Sequence, residues 1–265
     1  MPSVKVNDIN MYYEIHGDGY PFVSIGGLNH NIYKYHAPFI ELLSKNFKTI
    51  IFDNRGAGKT DQPDIQYSIK MMAADTAGLM NALNIERAFV LGTSMGGMIA
   101  QELVLNYPEK VEKLVLCSTN CGGSKAVPPS KEILQLLTQN TKGMTEEEIV
   151  RMVLPILYTK EFLKNNVNYI EDYIRRSLII PTNPKTYLRQ IGAVMRFNSF
   201  KRLKNINTPT LVMHGKKDIL VPPQNGEILA ELIPNAKLSL HDNSAHLLFS
   251  EETEIGFNSV LKFLL

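Results

Sequence analysis

The chain has 265 residues, of which 44% are hydrophobic and 20% charged, as is ordinary for a soluble globular enzyme. A net charge of +2 without any lysine- or arginine-rich block argues against a nucleic-acid-binding protein. Two cysteines, Cys117 and Cys121, are too few for a disulfide framework or a four-ligand zinc site, and no apolar run reaches the roughly 18 residues of a membrane span.

The N-terminal segment contains the first of eight short runs rich in β-branched residues, which are predicted strands. It alternates polar and apolar residues and lacks the apolar core of a signal peptide, so we expect a cytoplasmic protein. The first two runs flank a turn-like Asn7-Asp8 and predict a hairpin. The runs are Val4–Val6, Met11–Ile15, Phe22–Ile25, Thr49–Phe52, Ala88–Leu91, Leu114–Cys117, Thr210–Met213 and Lys237–Leu240.

Stretches of helical periodicity separate most of these strands. Residues 69–83 have apolar side chains along one helix face, and residues 98–105 are apolar nearly all round before Tyr107-Pro108 ends the pattern. A hairpin followed by alternating strands and helices predicts a mostly parallel sheet with helices on both faces.

The alternation stops between about residues 120 and 203, where helical patterns occur with little strand signal. We therefore predict a core domain of residues 1–120 and 204–265, and a helical insertion of residues 121–203 that covers the pocket as a lid. Five apolar residues of the insertion have two possible roles: they line the pocket, or they form the core of the insertion itself, which we expect for most of them. These residues are Met152, Leu154, Ile156, Leu157 and Tyr158.

The segment Gly92-Thr93-Ser94-Met95-Gly96 matches the pattern G-x-S-x-G. It follows a predicted strand and precedes a predicted helix, which is the context of a nucleophile elbow. The turn is so sharp that only small side chains fit two residues before and two residues after Ser94. It lifts the Ser94 hydroxyl above the sheet, next to a helix N-terminus that favours negative charge. The alternative is that the pattern arises by chance, since the chain has 17 glycines. A chance match is rarer when a strand must precede the pattern and a helix must follow it.

A serine hydroxyl needs a positioned base. In folds that present the serine on a nucleophile elbow, the order along the chain is serine, acid, histidine. His246 lies in the loop after the last predicted strand, at the sheet edge that carries Ser94, and is the predicted base; His241 ends that strand. Asp218 follows the strand Thr210–Met213 and is the predicted acid that orients the imidazole. Asp242 is closer to His246 in sequence but sits beside His241, and is the weaker candidate.

A tetrahedral intermediate requires backbone N–H donors directed at its oxyanion. Met95, which follows the nucleophile, is predicted to supply one donor. The loop after Phe22–Ile25, with Gly26-Gly27-Leu28, is predicted to supply the other from Leu28.

Taken in order, these motifs resemble the α/β-hydrolase family, in its branch of small lidded esterases, enol-lactonases, perhydrolases and C–C bond hydrolases. The resemblance covers nearly the whole chain. It implies an eight-stranded, mostly parallel sheet, and a mainly structural role for Asp53 and Arg55. The shared segments are Gly26-Gly27-Leu28, Asp53-Asn54-Arg55-Gly56-Ala57-Gly58-Lys59-Thr60, the turn at Ser94, His214-Gly215 with Asp218, and Ala245-His246 with Glu251.

Two further patterns have weaker interpretations. Gly58-Lys59-Thr60 looks like the end of a phosphate-binding loop, but the glycine which that motif requires five residues earlier is Asp53. His241 and His246 have no further ligand at metal-binding spacing. We expect neither a cofactor nor a metal.

The predicted activity is serine hydrolysis of a small-to-medium carboxylic ester or lactone, by a monomer or homodimer. One alternative is C–C bond hydrolysis or a lyase reaction on an activated ketone or enol with the same triad. It would need cationic anchors, for which Arg175, Arg176, Arg189 and Arg196 are the candidates. The other alternative is a receptor that binds a ligand in the same pocket without turnover.

Overall fold

The computed structural model describes residues 2–139 and 141–265. Within them, eight strands form one sheet in the order β1-β2-β4-β3-β5-β6-β7-β8. Each predicted strand is present, most of them a few residues longer than predicted. The strands are β1 Ser3–Val6, β2 Ile9–His16, β3 Tyr20–Ile25, β4 Phe47–Phe52, β5 Ala88–Thr93, β6 Val111–Cys117, β7 Thr210–Gly215 and β8 Lys237–His241.

The pairing confirms a mostly parallel sheet. β2 pairs antiparallel with β1, as the predicted hairpin requires, and it also pairs antiparallel with β4. From β4 to β8 every neighbouring pair is parallel. The carboxyl ends of these strands therefore share one edge, which is where open α/β sheets bind their ligands.

Helices connect most of the strands, including those predicted over residues 69–83 and 98–105. Ser68 is the N-cap of the helix that begins at Ile69, and its side chain accepts a hydrogen bond from the Met71 N–H. The α-helices are α1 Ala37–Ser44, α2 Ile69–Ala82, α3 Met95–Asn106, α4 Lys131–Thr138, α5 Glu146–Leu157, α6 Lys160–Asn165, α7 Val167–Ser177, α8 Pro184–Arg196, α9 Gln224–Leu232, α10 Leu248–Glu251 and α11 Thr253–Leu264.

Apolar layers cover both faces of the sheet. On one face, α2, α3 and α9 pack against strand residues such as Val90 and Ile50. On the other, α1 and α11 pack against residues such as Ile51. Ile50 and Ile51 point to opposite layers because side chains alternate along a strand. Burial on both faces explains why the central strands are apolar throughout.

The helices α4 to α8 follow β6 and precede β7. Part of this stretch has an apolar cluster of its own, which includes Leu154 and Tyr158, and Leu247 beside His246 packs against it. None of the helices in the described residues is both long and apolar enough to cross a membrane.

Candidate active site

Ser94 lies between β5 and α3 with φ 57° and ψ −121°. A positive φ is unfavourable for any residue other than glycine and costs on the order of 1–3 kcal/mol. The turn persists because its backbone is held on both sides: the Ser94 N–H donates to the Cys117 carbonyl at 3.0 Å, and the Thr119 hydroxyl donates to the Ser94 carbonyl at 2.7 Å. The side chain is half-buried.

The glycines around Ser94 are required by close backbone approach. A Cβ on Gly92 would overlap the Gly96 carbonyl, and a Cβ on Gly96 would overlap the carbonyl of Ile25 at the end of β3. Larger residues at either position would push the strand and the helix apart. The G-x-S-x-G pattern therefore has a steric cause in this chain.

Asp218 and His246 are joined by a hydrogen bond. Nδ1 of His246 lies 2.8 Å from Oδ2 of Asp218, and both residues are buried, each with 3% of its surface exposed. An ionised carboxylate only accepts hydrogen bonds, so His246 carries a proton on Nδ1. In the neutral ring, Nε2 is then the atom with a free lone pair.

The Asp218 carboxylate is held by its own loop. Oδ1 accepts from the backbone N–H groups of Leu220 and Val221, each at 2.9 Å. Burial by itself would raise the pKa of Asp218, but the neighbouring His246 and His214 outweigh it and lower the pKa to about 2. Asp218 is therefore ionised at neutral pH.

His214 is a second histidine beside this carboxylate, with Nε2 3.4 Å from Oδ2 of Asp218. Its Nε2–H donates to the Val221 carbonyl at 2.7 Å, and the ring is fully buried. The sequence places His214 next to the Asp218 loop but does not reveal that its ring turns toward the carboxylate.

The loop after β3, residues 26–31 (the β3 loop), lies against Ser94. A Cβ on Gly27 would come within 3.2 Å of the Ser94 Cβ, and Asn54 fixes the loop by donating to the Gly26 carbonyl at 2.9 Å. Among the residues that the structure describes, the backbone N–H groups of Leu28 and Met95 donate to no protein acceptor.

The predicted site residues follow the carboxyl ends of different strands. Leu28 follows β3, Ser94 follows β5 and Asp218 follows β7, while His246 follows β8. β5 and β7 are separated by β6 alone, which corresponds to about 10 Å between their axes. This arrangement brings the predicted residues to a single edge of the sheet.

Arg55 and Asp53, for which the resemblance implies a mainly structural role, have partners within the protein. Arg55 is buried in ion pairs with Asp75 at 2.7 Å and Asp8 at 2.6 Å. Asp53 accepts the Lys59 N–H at 2.7 Å and fills the turn in which a phosphate-binding loop would hold phosphate. Burial raises the pKa of Asp53 to about 6.

The two weaker candidates near His246 also have partners of their own. Asp242 is exposed and pairs with Lys216 at 2.6 Å. His241 lies 3.4 Å from Glu252 through Nδ1.

The loop that carries His246, residues 242–247 (the His246 loop), contacts the helices inserted between β6 and β7. The Leu247 N–H donates to the Leu157 carbonyl at 3.1 Å. Glu251 accepts the Ala245 N–H at 2.6 Å and also contacts Thr159. Sequence reasoning pointed to Glu251 only through the family resemblance, and nothing in the pattern distinguished Thr159.

The mostly parallel sheet, the strained serine between β5 and α3, and the buried Asp218–His246 pair are typical of α/β hydrolases. The chain belongs to the α/β-hydrolase fold family, which matches residues 20–253. It is accordingly a hydrolase of this fold.

Three similar proteins illustrate the range of the family. The provisionally named carbamate hydrolase RutD of Azorhizobium caulinodans is 31% identical over 261 residues, which cover 98% of this chain and 97% of the relative. The enol-lactonase of Burkholderia xenovorans has a TM-score of 0.87 at 25% identity, with 99% of each chain covered. The meta-cleavage product hydrolase of Pseudomonas fluorescens has a TM-score of 0.85 at 25% identity, covering 100% of this chain and 97% of the other.

Proposed function

We propose that this protein is a serine hydrolase that cleaves a small-to-medium, largely uncharged carboxylic ester or lactone through an acyl-enzyme. Ser94 is the nucleophile, His246 the base and Asp218 the acid that orients it. The observation that carries the proposal is the 2.8 Å hydrogen bond from His246 Nδ1 to a buried, ionised Asp218, at the sheet edge where Ser94 occupies a strained turn.

In the first step, His246 Nε2 accepts the Ser94 proton as the serine oxygen attacks the ester carbonyl. The N–H groups of Leu28 and Met95 bind the developing oxyanion. His246 then returns the proton to the leaving alcohol, which in a lactone stays attached to the acyl group. Water, deprotonated by the same imidazole, hydrolyses the acyl-enzyme and restores Ser94.

The electrostatic role of Asp218 follows from its low pKa. An ionised carboxylate stabilises the imidazolium that forms when His246 takes the proton, and it fixes the tautomer that leaves Nε2 available. The two backbone N–H groups on Asp218 Oδ1 keep the carboxylate from rotating away. Asp218 thereby orients the base without exchanging a proton itself.

We assign residues 121–203 to a lid over this site and the remaining residues to the core. Support comes from the contacts between the inserted helices and the loops that follow β3 and β8, including the bond from the Leu247 N–H to the Leu157 carbonyl. A lid at this place would exclude water from the reacting ester.

C–C bond hydrolysis is the second candidate, favoured by the likeness to the meta-cleavage product hydrolase. The arginines that would anchor a substrate carboxylate weigh against it, because three of the four are paired with carboxylates of this chain. Arg175 and Arg176 pair with Asp172, Arg189 pairs with Asp64, and Arg196 contacts the Tyr67 carbonyl.

Fluorophosphonate labelling combined with p-nitrophenyl ester hydrolysis tests the proposal. We expect one adduct, mapped to Ser94, and a loss of turnover on the order of 10⁴–10⁶-fold in Ser94→Ala. Ser118→Ala is the matched control. Like Ser94, Ser118 directly follows the carboxyl end of a strand of the sheet, and its backbone φ is positive. A folded wild type that neither reacts nor hydrolyses esters would favour the receptor, and turnover limited to activated ketones would favour C–C cleavage.

A further inference from the structure

A buried glutamine of α8 contacts the β3 loop. Gln190 is 1% exposed, and its Oε1 accepts the Asn29 N–H at 2.8 Å. Its Nε2 donates to the Arg55 carbonyl at 2.8 Å. Both partners are backbone groups of fixed polarity, so only one orientation of the amide satisfies them.

Asn29 directly follows Leu28, the predicted oxyanion donor, and has an unfavourable φ of 51°. Its backbone is held from outside the loop. The Asn29 carbonyl accepts the Lys34 ammonium at 2.9 Å, and its side chain donates to the Thr182 hydroxyl at 2.8 Å. Gln190 supplies the contact on the remaining backbone group, the N–H.

We propose that Gln190 is a positioning residue that orients the Leu28 N–H toward the oxyanion. The inference rests on the proposed function, because it requires Ser94 chemistry with Leu28 as a donor. An oxyanion donor must lie about 2.7–3.1 Å from the oxygen, and a displacement near 1 Å costs on the order of 100-fold in rate. Without Gln190, the Asn29 peptide would lose the partner that sets its plane, and the adjoining Leu28 peptide would rotate with it.

The consequence is that the inserted helices complete the oxyanion site. On the other side of Leu28, Asn54 of the core donates to the Gly26 carbonyl. The loop is thus held at Gly26 by the core, and at Asn29 by Lys34 of the core together with Thr182 and Gln190 of the insertion. Movement of α8 would change the rate of the chemical step, and would change substrate binding less.

The experiment compares Gln190→Met, which removes both hydrogen bonds at similar volume, with Gln62→Met. Gln62 also joins α8 to the core, through the Asn183 side chain at 2.7 Å, but at an exposed position and without contacting the β3 loop. Gln190→Glu is the second variant, since it keeps an acceptor for Asn29 and loses the donor to Arg55. The readouts are kcat and KM for a p-nitrophenyl ester, thermal unfolding, and inhibition by matched ketones.

A trifluoromethyl ketone forms a tetrahedral adduct with a nucleophilic serine, whereas the matched methyl ketone binds without reacting. For Gln190→Met we expect kcat to fall about 10- to 100-fold with KM within about threefold. Affinity should weaken for the trifluoromethyl ketone and stay constant for the methyl ketone. Gln190→Glu should lower kcat as well, because the carboxylate oxygen that replaces Nε2 would repel the Arg55 carbonyl, and Gln62→Met should match wild type in every readout except stability.

Equal effects of Gln190→Met and Gln62→Met on kcat, or equal weakening of both ketones by Gln190→Met, would reduce Gln190 to a structural role. Should Gln190→Met fail to fold, the same comparison is made with Gln190→Glu. Peptide mapping after fluorophosphonate labelling distinguishes this failure from failure of the proposed function. If only the role of Gln190 is wrong, Ser94 of the wild type is still labelled. If the proposed function is wrong, Ser94 is not labelled, and both proposals are rejected.

Discussion

Glu251 accepts hydrogen bonds from both the backbone N–H and the hydroxyl of Thr159, at 2.8 and 2.7 Å. Thr159 is the N-cap of α6, and the second oxygen of Glu251 accepts the N–H of Ala245, the residue before His246. One carboxylate therefore joins the inserted helices to the His246 loop. Gln190 contacts the β3 loop, so the insertion contacts two of the loops that the proposed mechanism requires.

Glu251→Gln should weaken catalysis and stability together. An amide has a single acceptor oxygen, so either Ala245 or Thr159 loses its partner. Losing a hydrogen bond to a charged group costs about 1.5–3 kcal/mol. We expect unfolding stability to fall by about that amount, measured by urea denaturation, and ester turnover to fall about tenfold as the His246 loop loosens. Glu254→Gln, at an exposed position of α11, is the control; equal losses in both variants would contradict the assignment.

Asp218→Asn should abolish most activity while the fold survives. The amide nitrogen in place of Oδ2 can only donate, so His246 would move its proton to Nε2 and could no longer act as a base. We expect kcat to fall on the order of 10³–10⁴-fold, measured with a p-nitrophenyl ester. Asp242→Asn should stay within about twofold of wild type, because Asp242 pairs with Lys216 at the surface. The reverse ranking would identify Asp242 as the acid.

Much of this architecture was predictable because the signals are local. The apolar runs are short and bounded by turns, so all eight strands were predicted, and the alternation with helices gave the parallel sheet. Site candidates followed because the carboxyl ends of parallel strands share an edge. Their roles as nucleophile, base, acid and oxyanion donors stay predictions until the labelling and turnover experiments are done.

Contacts between the insertion and the core were not predictable. Gln190 and Asn29 are 161 residues apart, and the contact joins a side chain to a backbone N–H, which leaves no residue pattern at Asn29. Thr159 resembles any threonine N-cap. The order of β4 beside both β2 and β3 is likewise set by packing of the whole sheet.

The low pKa of Asp218 predicts acid-dependent stability. Its pKa falls from 3.8 to about 2 on folding, so the ionised form is favoured in the folded protein. The resulting stabilisation, about 2 kcal/mol, is complete above the unfolded pKa and disappears as pH falls from about 5 toward 2. Urea midpoints between pH 6 and pH 2.5 should therefore decline more for wild type than for Asp218→Asn, which lacks the titrating group. Parallel declines would show that folding leaves this pKa unchanged.

The strained turn at Ser94 predicts a reversal of the usual ranking of glycine and alanine. Glycine normally destabilises relative to alanine by about 0.4–1 kcal/mol through the entropy of the unfolded chain. At φ 57° and ψ −121°, glycine avoids a strain that alanine keeps, on the order of 1–3 kcal/mol. Ser94→Gly should therefore unfold at higher urea concentration than Ser94→Ala, with both variants inactive. At Ser259, within α11, the same pair of substitutions should give the ordinary order, with alanine more stable by about 1 kcal/mol. If alanine is the more stable at both positions, the turn at Ser94 stores no strain, and its geometry is set by the surrounding glycines alone.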